Sequence, residues 1–182
     1  HLVVGAEAPP QASPRRHAAY VRNAVLGGNL SSRLFQVIRE EHALAYSVFS
    51  SLSAYHDTGQ FSIYAGTEPQ SVPLVLDLVM AELRRIKAQP VEESELKRAK
   101  SHLRGSILMG LESTSARMSQ LARQEMYFGR QVSPDEVISD IDAVSSAEVL
   151  ELASEMFGRG PLAMTVLGRL EHLRPIPESL VA

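Results

Sequence analysis

The 182-residue sequence contains no cysteine, and its five tyrosines and five phenylalanines make aromatics only 5% of the chain. The missing cysteines exclude a disulfide framework, a thiolate metal site and a cysteine nucleophile. They leave the compartment open, because many exported domains also lack disulfides. An excess of positive charge is missing too: the net charge is −3. There is no basic footprint for nucleic acid, and the aromatics are too few and scattered to stack bases, so no nucleic-acid partner is expected. Nor is there a long hydrophobic run. The best stretch, residues 72–81, is broken by Asp77 and falls far short of the roughly 20 residues needed to span a bilayer.

The familiar catalytic signatures are absent as well. GGNLSS at 27–32 has neither the GxGxxG spacing nor the GK[ST] ending of a nucleotide loop, and no GxSxG elbow occurs. Residues 38–42, IREEH, match the inverted zincin pattern HxxEH at the last two positions but place Ile38 where the first ligand must stand. His1, His17, His56, His102 and His172 have no ligand partner at helical spacing. No metal site is expected in this chain. The acidic group Glu92, Glu93 and Glu95 sits at a helix start, where it offsets the macrodipole without any catalytic role.

What is present is 45% hydrophobic content, enough for one domain with a substantial core. The chain opens on HLVVGAE, with neither a methionine nor a charged signal region, and reads as a piece of something longer. Residues 2–6 form a strand stopped by Pro9, Pro10 and Pro14. A helix follows over 15–26, ended by Gly27 and Gly28, and a second begins near Ser31 with Leu34, Phe35 and Ile38 on one face and Ser31 or Ser32 as its cap. Strict alternation over 45–55 and 60–67 around the turn HDTG predicts an antiparallel hairpin. Its serine-rich side predicts a partly buried face, or one that a partner covers. The period then lengthens to about 3.6. Helices are expected over 72–86, from 91 through 107, over 113–129, 134–143 and 146–157, with a last strand over 162–168. One domain, 1–170, and a loose tail, 171–182, follow from this pattern. Strands at both ends with a hairpin between them imply an α+β, two-layer domain: a mostly antiparallel sheet with helices packed on one face.

Within this frame Arg39 and Tyr46 stand seven residues apart across a helix-to-strand junction. A guanidinium and a neutral phenol can hold a carbonyl or developing oxyanion, yet neither starts a reaction. Both residues also fit plainer roles: an arginine satisfying helix-terminal carbonyls, a tyrosine packing with its hydroxyl at the rim.

Four stretches in order, GGNLSSRLFQVIREEHALAYSV, the strand ending IYAGT, ELKRAKSHLRGSILMGLES and ARMSQLARQEMYFGR, resemble the second homologous half of the M16 metallopeptidases, the group of mitochondrial processing peptidase and insulin-degrading enzyme. The resemblance covers residues 2–168. It implies the LuxS/MPP-like metallohydrolase fold and a zinc endopeptidase whose zinc and HxxEH motif lie in a homologous partner half, on the same polypeptide or a separate subunit. It assigns Arg39 and Tyr46 to the substrate backbone and the tetrahedral intermediate as assisting catalytic residues, with a peptide or unfolded protein as substrate. The hairpin edge would help by strand addition. This segment alone would be inactive. Asn29 and Leu30 replace a glycine and methionine usual in the family, and His42 and Ala43 replace a basic residue and glycine. Some second halves are inactive, so a structural or peptide-binding module is the alternative.

Overall fold

The computed structural model describes residues 1–158, 160 and 162–169; the expected tail at 171–182 and His172 lie outside them. Four strands form one antiparallel sheet in the order β2-β3-β1-β4, where β1 is Leu2–Ala8, β2 Ala45–Ala54, β3 Gly59–Thr67 and β4 Ala163–Val166. The alternation read from the sequence sets its two faces. Leu2 and Val4 of β1, Val48 and Ser50 of β2, and Phe61, Ile63 and Ala65 of β3 are buried against the helices. The opposite face carries the serines, with Ser51 and Ser62 hydroxyls 2.8 Å apart and the rings of Phe49 and Tyr64 stacked at 5.1 Å. Phe49 stays exposed there, as the serine-rich side leads one to expect.

The helices are α1 (Arg16–Leu26), α2 (Val72–Ala88), α3 (Glu93–Gly110), α4 (Thr114–Phe128), α5 (Pro134–Ala143) and α6 (Ser146–Gly158). Their apolar stripes recur every three or four residues because that spacing returns to one side of a helix. Val75, Val79, Leu83 and Ile86 of α2, Val149, Leu152 and Phe157 of α6, and Val21 and Val25 of α1 are all buried on the inner face of the sheet. Burying one such side chain contributes about 1.5–3 kcal/mol relative to leaving it in water. Serines cap two of the later helices: Ser113 accepts from the Ala116 N–H, and Ser133 from the Glu136 N–H.

The short helix after Gly28 departs from expectation. Neither Ser31 nor Ser32 caps it: the Ser31 N–H donates to Asn29 Oδ1, and the Ser32 hydroxyl donates to the Asn29 carbonyl. Asn29 organises this turn and anchors it to α1 by donating to the Ala24 carbonyl at 2.8 Å. From Phe35–Glu41 the segment is wound as a π-helix.

Gly27 is required by contact. The Gly27 carbonyl accepts the Ser50 N–H at 2.9 Å, and a Cβ on Gly27 would lie 2.5 Å from that nitrogen. The end of α1 is thereby pressed onto the outer edge of β2, fixing where the following turn begins.

Candidate functional site

Arg39 and Tyr46 are brought together by three consecutive irregularities of the backbone. The first is the π-helix, whose wider turn shows in the His42 N–H donating to the Val37 carbonyl, five residues back. Such turns concentrate at functional sites because they rotate one side chain out of the ordinary helical register. The second is Ala43, with φ of 52°, a left-handed conformation that an L residue with a Cβ adopts at a cost. The third is a bulge at the start of β2, where Ala45 pairs with Thr67 and Ser47 with Gly66, leaving Tyr46 as the extra residue.

The bulge overturns what plain alternation implies for Tyr46. Simple counting puts Tyr46 on the side of Val48 and Ser50, facing the core. In the structure Ala45 takes the inward place, 5% exposed, and the Tyr46 ring is 87% exposed.

The two side chains meet in solvent. The Arg39 guanidinium carbon lies 4.9 Å from the centre of the Phe35 ring and 5.5 Å from that of Tyr46. These cation–π contacts orient the guanidinium without using its hydrogen-bond donors. Its nearest carboxylate is Glu40, at 4.0 Å from Nε, the outer limit of an ion pair between exposed groups, where little energy is gained. Neither the Arg39 guanidinium nor the Tyr46 hydroxyl makes a hydrogen bond among the described residues. Beside them runs an open groove of about 510 Å³, lined by Tyr46, Ala43, Gly66, Thr67, Glu68 and His1.

Behind these exposed groups the scaffold is fixed. Leu34 and Ile38, one turn apart on the inner face of the segment, are fully buried. Arg33 donates from Nε and Nη2 to both carboxylate oxygens of Glu95 at 2.8 and 2.7 Å, tying the segment to α3, and Glu82 of α2 lies 3.9 Å away. Burial works against the charge on Arg33, but the hydrogen bonds and attraction of Glu95, with Glu82 and Glu92 behind it, outweigh burial and raise its pKa. Thr67 donates to the Leu44 carbonyl, holding the Ala43 turn against β3.

The sequence singles out Arg39 and Tyr46 but not Phe35, the ring under the guanidinium. The Phe35–Arg39 spacing of four residues, which puts both on one helical side, was the available signal. It also gave Glu95 only a helix-end role, whereas the structure makes it the bidentate partner of Arg33. His42 ends the π-helix in an exposed position, and Glu41 is exposed beside it. Among the described residues no three histidine, aspartate or glutamate side chains are grouped closely enough to hold a metal ion. Zinc does not fit these residues.

Comparison with known proteins gives a consistent picture. Residues 1–103 match the family model described as the peptidase M16 inactive domain. Among curated proteins, an uncharacterized zinc protease of Streptomyces coelicolor is 37% identical over 94% of this chain and 37% of its own length. One from Mycobacterium tuberculosis is 36% identical over 100% of this chain and 41% of its own length. Among solved structures, the complex III dimer of Candida albicans has a chain that superposes with a TM-score of 0.86 at 21% identity, covering 98% of this chain and 45% of that one. A Helicobacter pylori protease gives 0.74 at 19% identity, covering 86% and 38%. At these identities the structures establish the fold. The chain spans less than half the length of the proteins it matches.

Proposed function

The chain belongs to the M16 peptidase family, and on that premise we propose that it is the substrate-binding, transition-state-assisting half of a zinc endopeptidase. It acts only together with a homologous half that carries HxxEH, on the same polypeptide or a second subunit. The observation that carries this reading is the Arg39–Tyr46 pair: two donors held in place by a π-turn, a left-handed residue and a bulge, with no internal hydrogen bond to satisfy.

Zinc belongs to the facing half in this reading, and the chemistry of bond cleavage starts there. The residues of this chain bind and orient. The Arg39 guanidinium, permanently charged and fixed between two rings, donates to a backbone carbonyl of an extended peptide. The Tyr46 hydroxyl donates to the carbonyl oxygen of the scissile bond as charge gathers on it. Neither residue changes its protonation state, so the pair stabilises developing charge without further reorganisation. Placed on the rim of the domain, both groups can reach across a cleft to a bond held by another domain.

Strand addition has limited room on β2, because the Ser50 N–H on its outer edge is already given to Gly27. Peptide recognition therefore falls on side-chain donors and on the groove beside Tyr46.

A second reading, a peptide-binding module without an active partner, is favoured by the open sheet face bearing the Phe49–Tyr64 stack. Mixing separates the two. The chain by itself should bind no stoichiometric zinc and cleave no peptide, and adding the HxxEH-bearing half should produce activity that neither has alone. Full activity of the HxxEH-bearing half without this chain would overturn the proposal.

A further inference from the structure

Beneath α4 the helical layer leaves a cavity of about 620 Å³ that the Arg39–Tyr46 site does not use. Its size falls within the roughly 300–1,000 Å³ of small-molecule sites. The cavity exists because α4 is held away from its neighbours. Gln124 is its one buried residue among those described, and that side chain is committed to the backbone of Val132, donating to its carbonyl and accepting its N–H at 3.0 Å each. Leu103 and Ile107 of α3 and Val137 of α5 are consequently only partly buried and face the open space. The space opens to solvent along α4, where the lining residues Ser115, Ala116 and Arg123 are exposed, so the apolar side chains that face it lack protein partners on that side.

The polar part of the lining has one sign. Acidic residues outnumber Lys and Arg in the chain, 21 to 18, yet no aspartate or glutamate lines this cavity, whereas Arg16 and Arg123 do. Arg16 stands over the Phe128 ring at 4.9 Å, donates to the Ser13 carbonyl at 3.5 Å and lies 4.0 Å from Asp140, which does not line the cavity but whose carboxylate is also 3.4 Å from His17 Nδ1. Arg123 makes no hydrogen bond or ion pair among the described residues. Tyr20 lines the same space, its hydroxyl donating to Gln11 at 3.1 Å; burial raises the pKa of this phenol, and Arg16 and Arg123 act against that rise. Leu103, Ile107 and Val137 supply an apolar wall.

We propose that this cavity binds a small amphiphilic carboxylate, its apolar tail between α3, α4 and α5 and its carboxylate at Arg123 and Arg16 beside Tyr20. A guanidinium with free donors matches a carboxylate in both charge and shape. The apolar wall gains the contacts it lacks, and no carboxylate on the lining repels the headgroup.

Titration calorimetry of the full chain with decanoate tests this, with decanol as the uncharged control. Decanoate should saturate at one per chain, and decanol should bind at least about ten-fold more weakly, the effect of one charge-assisted hydrogen bond. Arg123→Gln should lose a similar factor for decanoate and leave decanol unchanged. Ala116→Trp, which projects bulk into the cavity, should weaken both, with thermal unfolding of each variant verifying that it is folded. No saturable binding, equal binding of the two probes, or indifference to Arg123→Gln would overturn the assignment. So would binding by this chain that disappears when the HxxEH-bearing half is joined to it, because the cavity would then be covered by polypeptide. None of these outcomes bears on Arg39 and Tyr46, so the two proposals fail separately.

Discussion

The guanidinium carbon of Arg39 stands 5.5 Å from the centre of the Tyr46 ring, with Phe35 on its other side at 4.9 Å. An exposed arginine ordinarily samples many rotamers, and ordering one side chain of this length costs up to about 2 kcal/mol. Two ring contacts offset part of that cost. The geometry therefore serves positioning more than stability, since both residues could be removed without opening the core.

Ala43 is the strained element of this arrangement. The left-handed conformation costs an alanine roughly 1–2 kcal/mol, partly offset by the lower entropy of its unfolded chain relative to glycine. Ala43→Gly should raise stability by about 0.5–1 kcal/mol, read as the urea midpoint at unchanged slope. A loss of stability would mean that the turn depends on the alanine methyl.

Gly27 has the opposite requirement. With a Cβ 2.5 Å from Ser50 N and 2.8 Å from Ser50 Oγ, Gly27→Ala must push α1 away from β2 and break the Ser50–Gly27 hydrogen bond. Overpacking of this kind costs about 1–3 kcal/mol. Equilibrium unfolding should register it, and a neutral result would show that this edge contact is dispensable.

Arg22 carries a buried charge with no carboxylate partner among the described residues. It is fully enclosed between the rings of Phe61 and Phe157, at 4.8 and 4.9 Å, against the sulfur of Met156, and Nε and Nη2 have no hydrogen-bond partner among the described residues. Burial lowers its pKa to about 9. Replacing a buried charge by an apolar side chain of similar length is often neutral or stabilising, whereas truncation leaves a void. Arg22→Met should match or exceed the parent in thermal stability, and Arg22→Ala should cost about 2–4 kcal/mol. Loss of folding in Arg22→Met would instead make the guanidinium itself indispensable.

His17 gives the fold an acid-side sensitivity. Burial first, and then Arg16, hold its pKa below the ordinary 6.5 against the pull of Asp140 and Glu136. Between the two pKa values the unfolded chain holds more protons than the folded one, so stability rises with pH there. The contribution is complete above about 6.5, the unfolded value, and is lost as the pH falls through the folded one. His17→Gln should flatten this part of the profile of urea midpoints between about pH 5 and 7.5. An identical slope in the variant would assign the acid sensitivity to other groups.

Much of the fold was legible because its signals are periodic. The hairpin alternates with period two, α2 repeats Val75, Val79, Leu83 and Ile86, and Ser133-Pro134 marks a helix start, so local pattern and tertiary burial agree. The site was less legible because it consists of breaks in those periods. A bulge inverts the side of Tyr46 with no glycine to mark it, and the π-turn has the composition of an ordinary helix. Ala43 stands where the family's usual glycine would have announced a left-handed residue. Arg22 shares the inner side of α1 with Ala18 and Val25, and only the folded molecule reveals that two phenylalanines from distant segments enclose it. Family resemblance singles out Arg39 and Tyr46; the structure adds Phe35, Ala43 and Arg33 as the parts that hold them.

The most direct test of the central claim is peptide hydrolysis by the complete two-half protein carrying Arg39→Ala, Tyr46→Phe, or both, with zinc content measured in parallel. Tyr46→Phe keeps the ring against Arg39 and removes only the hydroxyl. Each single change should lower kcat/KM by about 2–4 kcal/mol of transition-state stabilisation, with zinc unchanged and the double variant losing less than the sum, as expected of two side chains in contact with each other. Unchanged hydrolysis in both single variants, with zinc retained, would contradict the account.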